Sequence, residues 1–238
     1  MSTPIAHEVR TSLLERFLRY VAIDTESDPK SDTYPSTAKQ FDLLRLLADE
    51  LRELGVPQVT LHEKGYVMAQ IPATPGYEDR PALGLIAHVD TSPDFTGRDV
   101  HPQLIEEYDG SPIALGETAV LTAQEFPDLM ELLGHTLITT DGSTLLGADD
   151  KAGVAEIMEA VRYLLAHPEL PHGKVCIGFT PDEEIGAGVD YFDVKAFGAD
   201  FAFTVDGSKE GELEYENFNA ASAHVTAIGR SIHPGSAK

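Results

Sequence analysis

The chain has 238 residues, 42% of them hydrophobic, which is enough to bury the core of one large domain or two small ones. It carries 40 acidic residues against 17 lysine and arginine residues, for a formal net charge of -23. This charge disfavours binding to nucleic acid or to an anionic membrane, so we expect neither as a partner. The sequence contains no leader-like N-terminus and no run of about 18 apolar residues, which predicts a cytoplasmic protein.

Hydrophobic periodicity predicts two amphipathic helices in the first part of the chain, over residues 8–22 and 36–54. Strand-like runs follow at residues 58–62, 66–71 and 83–87. The last of these is nearly all apolar, as is typical of a strand that is covered on both faces, and His88 ends it. Residues 91–134 are rich in proline, glycine and acidic side chains, which predicts an excursion from the sheet.

The next part of the chain alternates strand and helix patterns. A helix is predicted over residues 151–166, and strand-like runs surround it at residues 136–140, 174–180 and 200–205. This alternation predicts an α/β fold, with a mixed sheet flanked by helices and with ligands gathered at the carboxyl ends of the strands.

The pattern changes near the C-terminus. From Glu212 onward apolar and polar residues alternate as in a strand, and the turn His233-Pro234-Gly235 follows. We therefore predict one domain at residues 1–216 and the first strand of a second, α+β domain at residues 217–238. The sequence stops at Lys238, shortly after that turn, so we expect it to be a fragment of a longer protein.

Two polar side chains stand where the apolar strand at residues 83–87 ends. In His88-Val89-Asp90 they are two positions apart, so they point to the same side of an extended chain. The carboxylate can then hold one imidazole nitrogen while the other nitrogen binds a metal ion. Taken alone, the pair is better explained as a solvated histidine and a turn aspartate.

Two adjacent carboxylates, Asp149 and Asp150, directly precede the helix that starts near Lys151. One of them is explained as the N-cap of that helix, which accepts hydrogen bonds from backbone N–H groups. A second carboxylate is more than a cap requires, and its oxygens can bridge two metal ions, which lie roughly 3.5 to 4 Å apart in such sites. We assign the bridging role to Asp150.

A third acidic cluster, Asp182-Glu183-Glu184, follows the strand at residues 174–180. Such a run is commonly a charged loop, but here one glutamate can ligate a metal ion while its neighbour takes a proton from water. Asp206 follows the next apolar strand and is either a turn former or a further ligand. The sequence contains no Gly-x-Ser-x-Gly elbow and no phosphate-binding Gly-Lys-Ser/Thr loop, so the clusters together favour metal-assisted hydrolysis.

Four segments carry these clusters with specific flanking residues. They are Ala87-His88-Val89-Asp90-Thr91-Ser92, Leu146-Gly147-Ala148-Asp149-Asp150-Lys151-Ala152-Gly153, Thr180-Pro181-Asp182-Glu183-Glu184-Ile185-Gly186, and Glu216-Asn217-Phe218-Asn219-Ala220-Ala221 with His233-Pro234-Gly235. Their order and spacing closely resemble the tripeptide aminopeptidases of the co-catalytic di-zinc peptidase superfamily, which also contains carboxypeptidases and deacylases. The resemblance implies a zinc peptidase catalytic domain at residues 1–216 and the start of a lid domain at residues 217–238.

The resemblance implies a cofactor of two Zn2+ per complete site. His88, Asp150 and Asp206 would hold one zinc ion, while Asp150 and Glu184 would hold the other. In the family a late histidine completes the second site, and no histidine of this sequence lies in a matching motif. The ligand types alone do not separate zinc from cobalt or manganese, because imidazole and carboxylate suit several divalent ions.

The resemblance also implies the catalytic roles. Glu183 would be the general base that takes a proton from a zinc-activated water, and Asp90 would orient His88. That water would attack the first peptide bond of a tripeptide, so that the N-terminal residue and a dipeptide leave. His233, in the lid, would help to bind substrate, and an ordinary turn residue is the alternative for it.

Two other functions are left open by the sequence. The shared motifs also fit a dipeptidase, a carboxypeptidase or a deacylase, which a preference for peptide length distinguishes from a tripeptidase. The other alternative is a metal-binding scaffold without turnover, although intact Asp90, Glu183 and Glu184 argue against it. We expect small peptides as partners and little activity from this chain alone, and the sequence leaves open whether it forms a homo-oligomer.

Overall fold

The structure is a computed structural model that describes residues 4–117, 119–207, 209, 211–217, 219, 221, 223 and 225–229, with the side chains of residues 4–8 outside the description. The chain divides into two compact units, residues 1–206 and 207–238. The described residues of the second unit form no helix or strand, and several positions of the strand predicted there lie outside the description. The predicted domain boundary after residue 216 stays a prediction.

The described helices and strands follow the predicted order. The helices are α1 (Pro4–Val21), α2 (Gln40–Glu53), α3 (Ala148–Ala166) and α4 (Val194–Phe197). The strands are β1 (Gln58–Leu61), β2 (Val67–Ile71), β3 (Leu83–His88), β4 (Gln103–Ile105), β5 (Ile113–Leu115), β6 (Ala119–Leu121), β7 (Leu137–Thr139), β8 (Val175–Thr180) and β9 (Phe201–Thr204). The short elements α4, β4, β5 and β6 were not predicted, because each has only three or four residues and therefore little periodicity.

The main sheet has five strands in the order β1-β2-β8-β3-β9. The pairs β1–β2 and β2–β8 are antiparallel, whereas β8–β3 and β3–β9 are parallel. The sheet is therefore mixed, as predicted. In the β3–β8 pair His88 lies beside Thr180, so the carboxyl ends of these two strands are level with each other at one edge of the sheet.

Helices flank both faces of this sheet, which confirms the predicted α/β class. Ile177 of β8 belongs to the hydrophobic core formed with α1, α2 and α3. The next residue, Gly178, faces the other side, where the rings of Phe192 and Phe197 approach it. Because successive residues of a strand point to opposite faces, β8 is covered on both sides and all of its residues are buried.

The excursion predicted at residues 91–134 lies outside the main sheet. Within it β5 pairs with β6, and β4 pairs with β7, which follows the excursion in the chain. A 3-10 helix spans Pro127–Leu132. The strand predicted at residues 136–140 therefore exists as β7, but it belongs to a small two-stranded sheet with β4 and not to the main sheet.

A network of charged side chains joins the three long helices. Arg16 of α1 lies 2.5 Å from Glu50 of α2 and 3.4 Å from Glu159 of α3. Glu159 is buried and also accepts hydrogen bonds from Ser12 at 2.8 Å and from Arg162 at 2.9 Å. Its pKa is lowered, because these hydrogen bonds and the arginine charges outweigh the effect of burial. This buried carboxylate thus supports the packing of helices at a distance from the strand ends.

Gly153 marks a close approach between the first turn of α3 and the end of β9. A Cβ atom at this position would overlap the carbonyl oxygen of Val205 and Oδ1 of Asp150. The Val205 oxygen belongs to the backbone and cannot rotate away. The contact therefore requires glycine, and it brings Asp150 close to the residue that precedes Asp206.

Replacing Gly153 with alanine should lower the free energy of unfolding. Alanine is favoured over glycine inside a helix by about 1 kcal/mol, so helix propensity alone would make the variant more stable. A lower free energy of unfolding would therefore come from the overlap with Val205. Denaturant unfolding measures the change, and Gly207→Ala is the control because a Cβ at Gly207 meets nothing within 4 Å. A Gly153→Ala variant as stable as the unchanged chain would contradict the close approach.

Candidate metal centre

Three parallel strands deliver the predicted site residues to one edge of the sheet. His88 is the last residue of β3, Asp206 follows the end of β9, and Glu183 with Glu184 lie in the turn after β8. The start of α3 adds Asp149 and Asp150. Side chains that are far apart in sequence meet here because the parallel strands end level with one another.

The ring of His88 is buried and aimed at carboxylates on both sides. Its Nδ1 lies 3.0 Å from the backbone oxygen of Asp90 and 3.3 Å from Oδ1 of the same residue. Its Nε2 lies 2.9 Å from Asp149 Oδ1 and 3.8 Å from both Glu183 Oε2 and Asp206 Oδ2. Nδ1 therefore contacts both the backbone oxygen and the carboxylate of Asp90, while Nε2 faces the remaining carboxylates.

Two groups of side chains present possible ligand atoms within 4.8 Å of one another. The first contains His88, Asp149 and Glu184, and the second contains His88, Asp150 and Asp206. The structure thus brings together all four ligands that the sequence predicted. An imidazole with several carboxylates is a donor set that suits zinc and other divalent ions, so the described residues fit a metal centre.

The clustered charges change the pKa values of the site. Burial lowers the pKa of His88, but the hydrogen bond to Asp90 and the charges of Asp90, Asp150 and Asp206 outweigh it and raise the pKa to about 10. Burial raises the pKa of Asp150 to about 8, although the charge of His88 opposes this rise. Burial and neighbouring carboxylates also raise the pKa of Glu184. A bound cation would relieve this repulsion, since opposite charge favours the ionised carboxylates.

The two aspartates before α3 have different environments. Asp150 is buried, and its carboxylate accepts hydrogen bonds from the backbone N–H of His88 at 3.1 Å and of Gly153 at 3.2 Å. The bond from Gly153, three residues ahead, is that of an N-cap. Asp149 has a side chain that is 71% exposed, and it faces His88 directly. The capping role expected for one of the pair therefore falls to Asp150, and the bridging role predicted for Asp150 stays a prediction.

Asp149 is a candidate site residue that the sequence pattern does not single out. Its Oδ1 approaches His88, it shares a ligand group with Glu184, and its charge raises the pKa of Asp206. Asp149 and Asp150 both have non-helical backbone angles, so the regular part of α3 starts near Lys151, as predicted. Two identical neighbours give no sequence signal that tells which carboxylate points outward.

Asp90 connects the histidine to the turn that carries the two glutamates. It is fully buried, and its Oδ1 and Oδ2 accept the backbone N–H groups of Glu183 at 2.9 Å and of Glu184 at 3.2 Å. The same Oδ1 contacts His88. One carboxylate therefore contacts the imidazole and the backbone of both glutamates, while the side chain of Glu183 stays 55% exposed.

A cavity of about 260 Å³ opens beside the cluster. His88, Asp150, Glu183 and Asp206 line it together with apolar side chains, among them Ile86, Val189 and Phe192. The predicted substrate-binding residue His233 lies outside the described residues. No helix within the described part of the chain is long and apolar enough to cross a bilayer.

Comparison with known families agrees with this site. The family model described as Peptidase family M20/M25/M40 matches residues 136–226. Peptidase T of Desulfitobacterium hafniense is 60% identical over 96% of this chain and 56% of its own length, and Peptidase T of Clostridium acetobutylicum is 58% identical over 95% and 56%. The chain is therefore similar to this peptidase family, and the curated relatives named here, which it matches over nearly its whole length, are Peptidase T. It spans about half the length of those relatives.

Solved structures support the fold. Aminopeptidase PepT from Bacillus cereus matches with a TM-score of 0.59 at 23% identity, over 84% of this chain and 44% of that one. A tripeptidase from Staphylococcus aureus matches with a TM-score of 0.59 at 24% identity and the same coverage. At these identities the likeness concerns the fold alone, and it agrees with the mixed α/β architecture described above.

Replacing Asp90 with asparagine should weaken the binding of a divalent metal ion by roughly 10- to 100-fold, the usual effect of removing a partner that orients a ligand. The amide nitrogen would oppose a backbone N–H of Glu183 or Glu184 instead of accepting from it. Competition with a chelating dye measures the affinity. Asp94→Asn is the control, since Asp94 is an exposed carboxylate in the same segment. Equal affinities for the two variants would contradict the positioning role of Asp90.

Proposed function

We propose that this chain forms the metal-binding front part of a zinc aminopeptidase that releases the N-terminal residue of tripeptides. The observation that carries the proposal is the Nε2 of buried His88, which faces the carboxylates of Asp149, Glu183 and Asp206. The Peptidase T relatives support the choice of small peptides as substrates. A cytoplasmic location, predicted from the sequence, belongs to the same proposal.

Two zinc ions are proposed as the cofactor. His88, Asp150 and Asp206 form one predicted ligand group, and Glu184 belongs to the other. The described contacts favour Asp149 over Asp150 as the shared ligand, because the exposed carboxylate of Asp149 lies 2.9 Å from Nε2 of His88, whereas the oxygens of the buried Asp150 also accept backbone N–H groups. When bound, the ions would supply a Lewis acid for the peptide carbonyl and lower the pKa of water.

Glu183 is proposed as the general base. Its exposed carboxylate lies beside His88 and lines the cavity, so it can reach a water molecule and a peptide in the same space. It would take a proton from the attacking water and return it to the nitrogen of the leaving dipeptide. Asp90 keeps Glu183 in place through the backbone N–H, and His233 is proposed to contact the substrate from the lid.

The first test is the amount of zinc bound per chain after dialysis, measured by elemental mass spectrometry. We expect about one to two zinc ions, as in a co-catalytic centre. Asp149→Ala should lose most of this zinc, because a shared ligand serves both ions, and Asp150→Ala should lose less. Asp94→Ala should lose none. The reverse order for Asp149 and Asp150 would restore the bridging role predicted from the sequence, and no zinc in the unchanged chain would refute the metal centre.

The second test addresses turnover. The resemblance implies that a late histidine of the longer relatives completes the site, so we expect little activity from the 238-residue chain by itself. A hybrid that continues this chain with the remaining part of Desulfitobacterium hafniense Peptidase T should hydrolyse tripeptides, and Glu183→Gln should abolish that activity. Blocking the peptide's amino group should also abolish it. Preferred cleavage of dipeptides or of acylated amino acids would indicate the other functions left open by the sequence.

A further inference from the structure

We propose that Asp182, which neither ligates metal nor contacts substrate in the function above, is the positioning residue that locks the glutamate turn to the start of α2. The proposal rests on that function only in taking Glu183 as the base and Glu184 as a ligand. Asp182 stands between the buried strand β8 and these two residues. Its position would therefore decide the direction in which both glutamates leave the sheet.

Asp182 is completely buried and every contact of its carboxylate is with α2 or the segment before it. Oδ1 accepts hydrogen bonds from Ser36 Oγ at 2.5 Å and from Gln40 Nε2 at 2.6 Å. Oδ2 accepts the backbone N–H of Ser36 at 2.7 Å. In return, the backbone N–H of Asp182 donates to Gln40 Oε1 at 3.2 Å. Two residues of one segment thus hold both the side chain and the backbone of Asp182.

The backbone at Asp182 has a conformation that needs such support. Its φ is +56°, in the left-handed region that residues other than glycine seldom adopt. This conformation starts a tight turn, in which Ala187 N–H donates to Asp182 O at 2.9 Å and Gly186 N–H donates to Glu183 O at 2.7 Å. A residue held in such a conformation at the edge of a cluster of ligands points to a functional constraint.

The direction of this turn has a chemical consequence. Directly after Asp182, the successive N–H groups of Glu183 and Glu184 both point at the carboxylate of Asp90. Asp90 follows the end of β3, whereas Gln40 is the first residue of α2 and Ser36 lies shortly before it. The glutamate turn is therefore fixed from two separate elements, and loss of the α2 contacts would leave Glu184 free to move relative to His88.

The same part of the chain also holds the end of the turn. The Tyr34 hydroxyl donates to the carbonyl oxygen of Ala187 at 2.7 Å, and the Tyr66 hydroxyl donates to that of Gly188 at 3.1 Å. Tyr34 lies only two residues before Ser36. Residues 34–40 thus contact the turn at its beginning and at its end, which agrees with a scaffold role for this segment.

The variant Asp182→Asn tests the proposal with almost no change in size. All three groups that face the carboxylate are donors, so the amide nitrogen of asparagine would meet a donor from Ser36 or Gln40 and lose its hydrogen bond. Glu159→Gln is the matched control. It also neutralises a buried, fully hydrogen-bonded carboxylate, but one that joins helices far from the turn.

The first readout is amide hydrogen exchange of the metal-free chain, followed by NMR. We expect severalfold faster exchange at Glu183, Glu184 and Ala187 in Asp182→Asn, and unchanged exchange there in Glu159→Gln. The second readout is a Co2+ titration followed by visible absorption. In Asp182→Asn the affinity of the weaker of two metal sites should fall by about tenfold, while the stronger site and the Glu159→Gln titration stay unchanged.

The outcomes separate the two proposals. Unchanged exchange and affinity in Asp182→Asn, or equal changes in both variants, would overturn the positioning role. If the unchanged chain binds no Co2+ and no zinc, the proposed function fails, while the exchange rates still decide whether Asp182 holds the turn. If Asp182→Asn does not fold, Gln40→Leu removes two of the contacts and leaves the carboxylate, and it should speed the same amides. Unchanged exchange in Gln40→Leu would then overturn the proposal.

Discussion

The parallel pairing of β3 with β8 is the constraint on which the rest of the site depends. Its register places His88 beside Thr180, so the two strands end at the same level. Only this register allows the carboxylate of Asp90, two residues past β3, to reach the backbone N–H groups of Glu183 and Glu184. A shift by one residue would turn the side chains of one strand to the opposite face and separate the imidazole from the glutamates.

Two buried carboxylates, Asp90 and Asp182, hold the glutamate turn in place, and hydrogen bonds offset the free-energy cost of burying them. A left-handed residue costs roughly 1–2 kcal/mol, while each hydrogen bond to a charged group contributes about 1.5–3 kcal/mol. Asp182 accepts three such bonds, so they more than offset its backbone conformation. Asp90 is likewise saturated by two backbone N–H groups and His88. The exposed Asp149 and Glu183, in contrast, keep oxygens that can serve a ligand or a substrate.

The electrostatics of the site divide its carboxylates into two kinds. The first kind, Asp90 and Asp182, accept hydrogen bonds at both oxygens and hold the turn that carries Glu183 and Glu184. Three carboxylates around His88, namely Asp150, Glu184 and Asp206, have raised pKa values because burial and the charges of neighbouring carboxylates disfavour their charged forms. A divalent cation relieves repulsion of this kind, and the crowded carboxylates occur here in a chain that resembles a peptidase family.

The sequence by itself determined the elements and the residue types of the site. The helical periodicity before Gly55, the apolar run before His88 and the acidic residues after apolar strands are local patterns, and local patterns decide where helices and strands begin and end. Specific motifs in the sequence indicated a resemblance to a peptidase family, and the similar relatives confirm that resemblance.

Only the tertiary structure decided which identical side chain does what. Asp149 and Asp150 are indistinguishable in sequence, and they differ because the backbone N–H groups of His88 and Gly153 take both oxygens of Asp150. In the sequence Asp182 is one of three adjacent acidic residues and has no distinguishing feature. Its hydrogen-bond partners Ser36 and Gln40 lie more than a hundred residues earlier in the chain. Contacts between distant segments form only when the sheet assembles, so no local pattern records them.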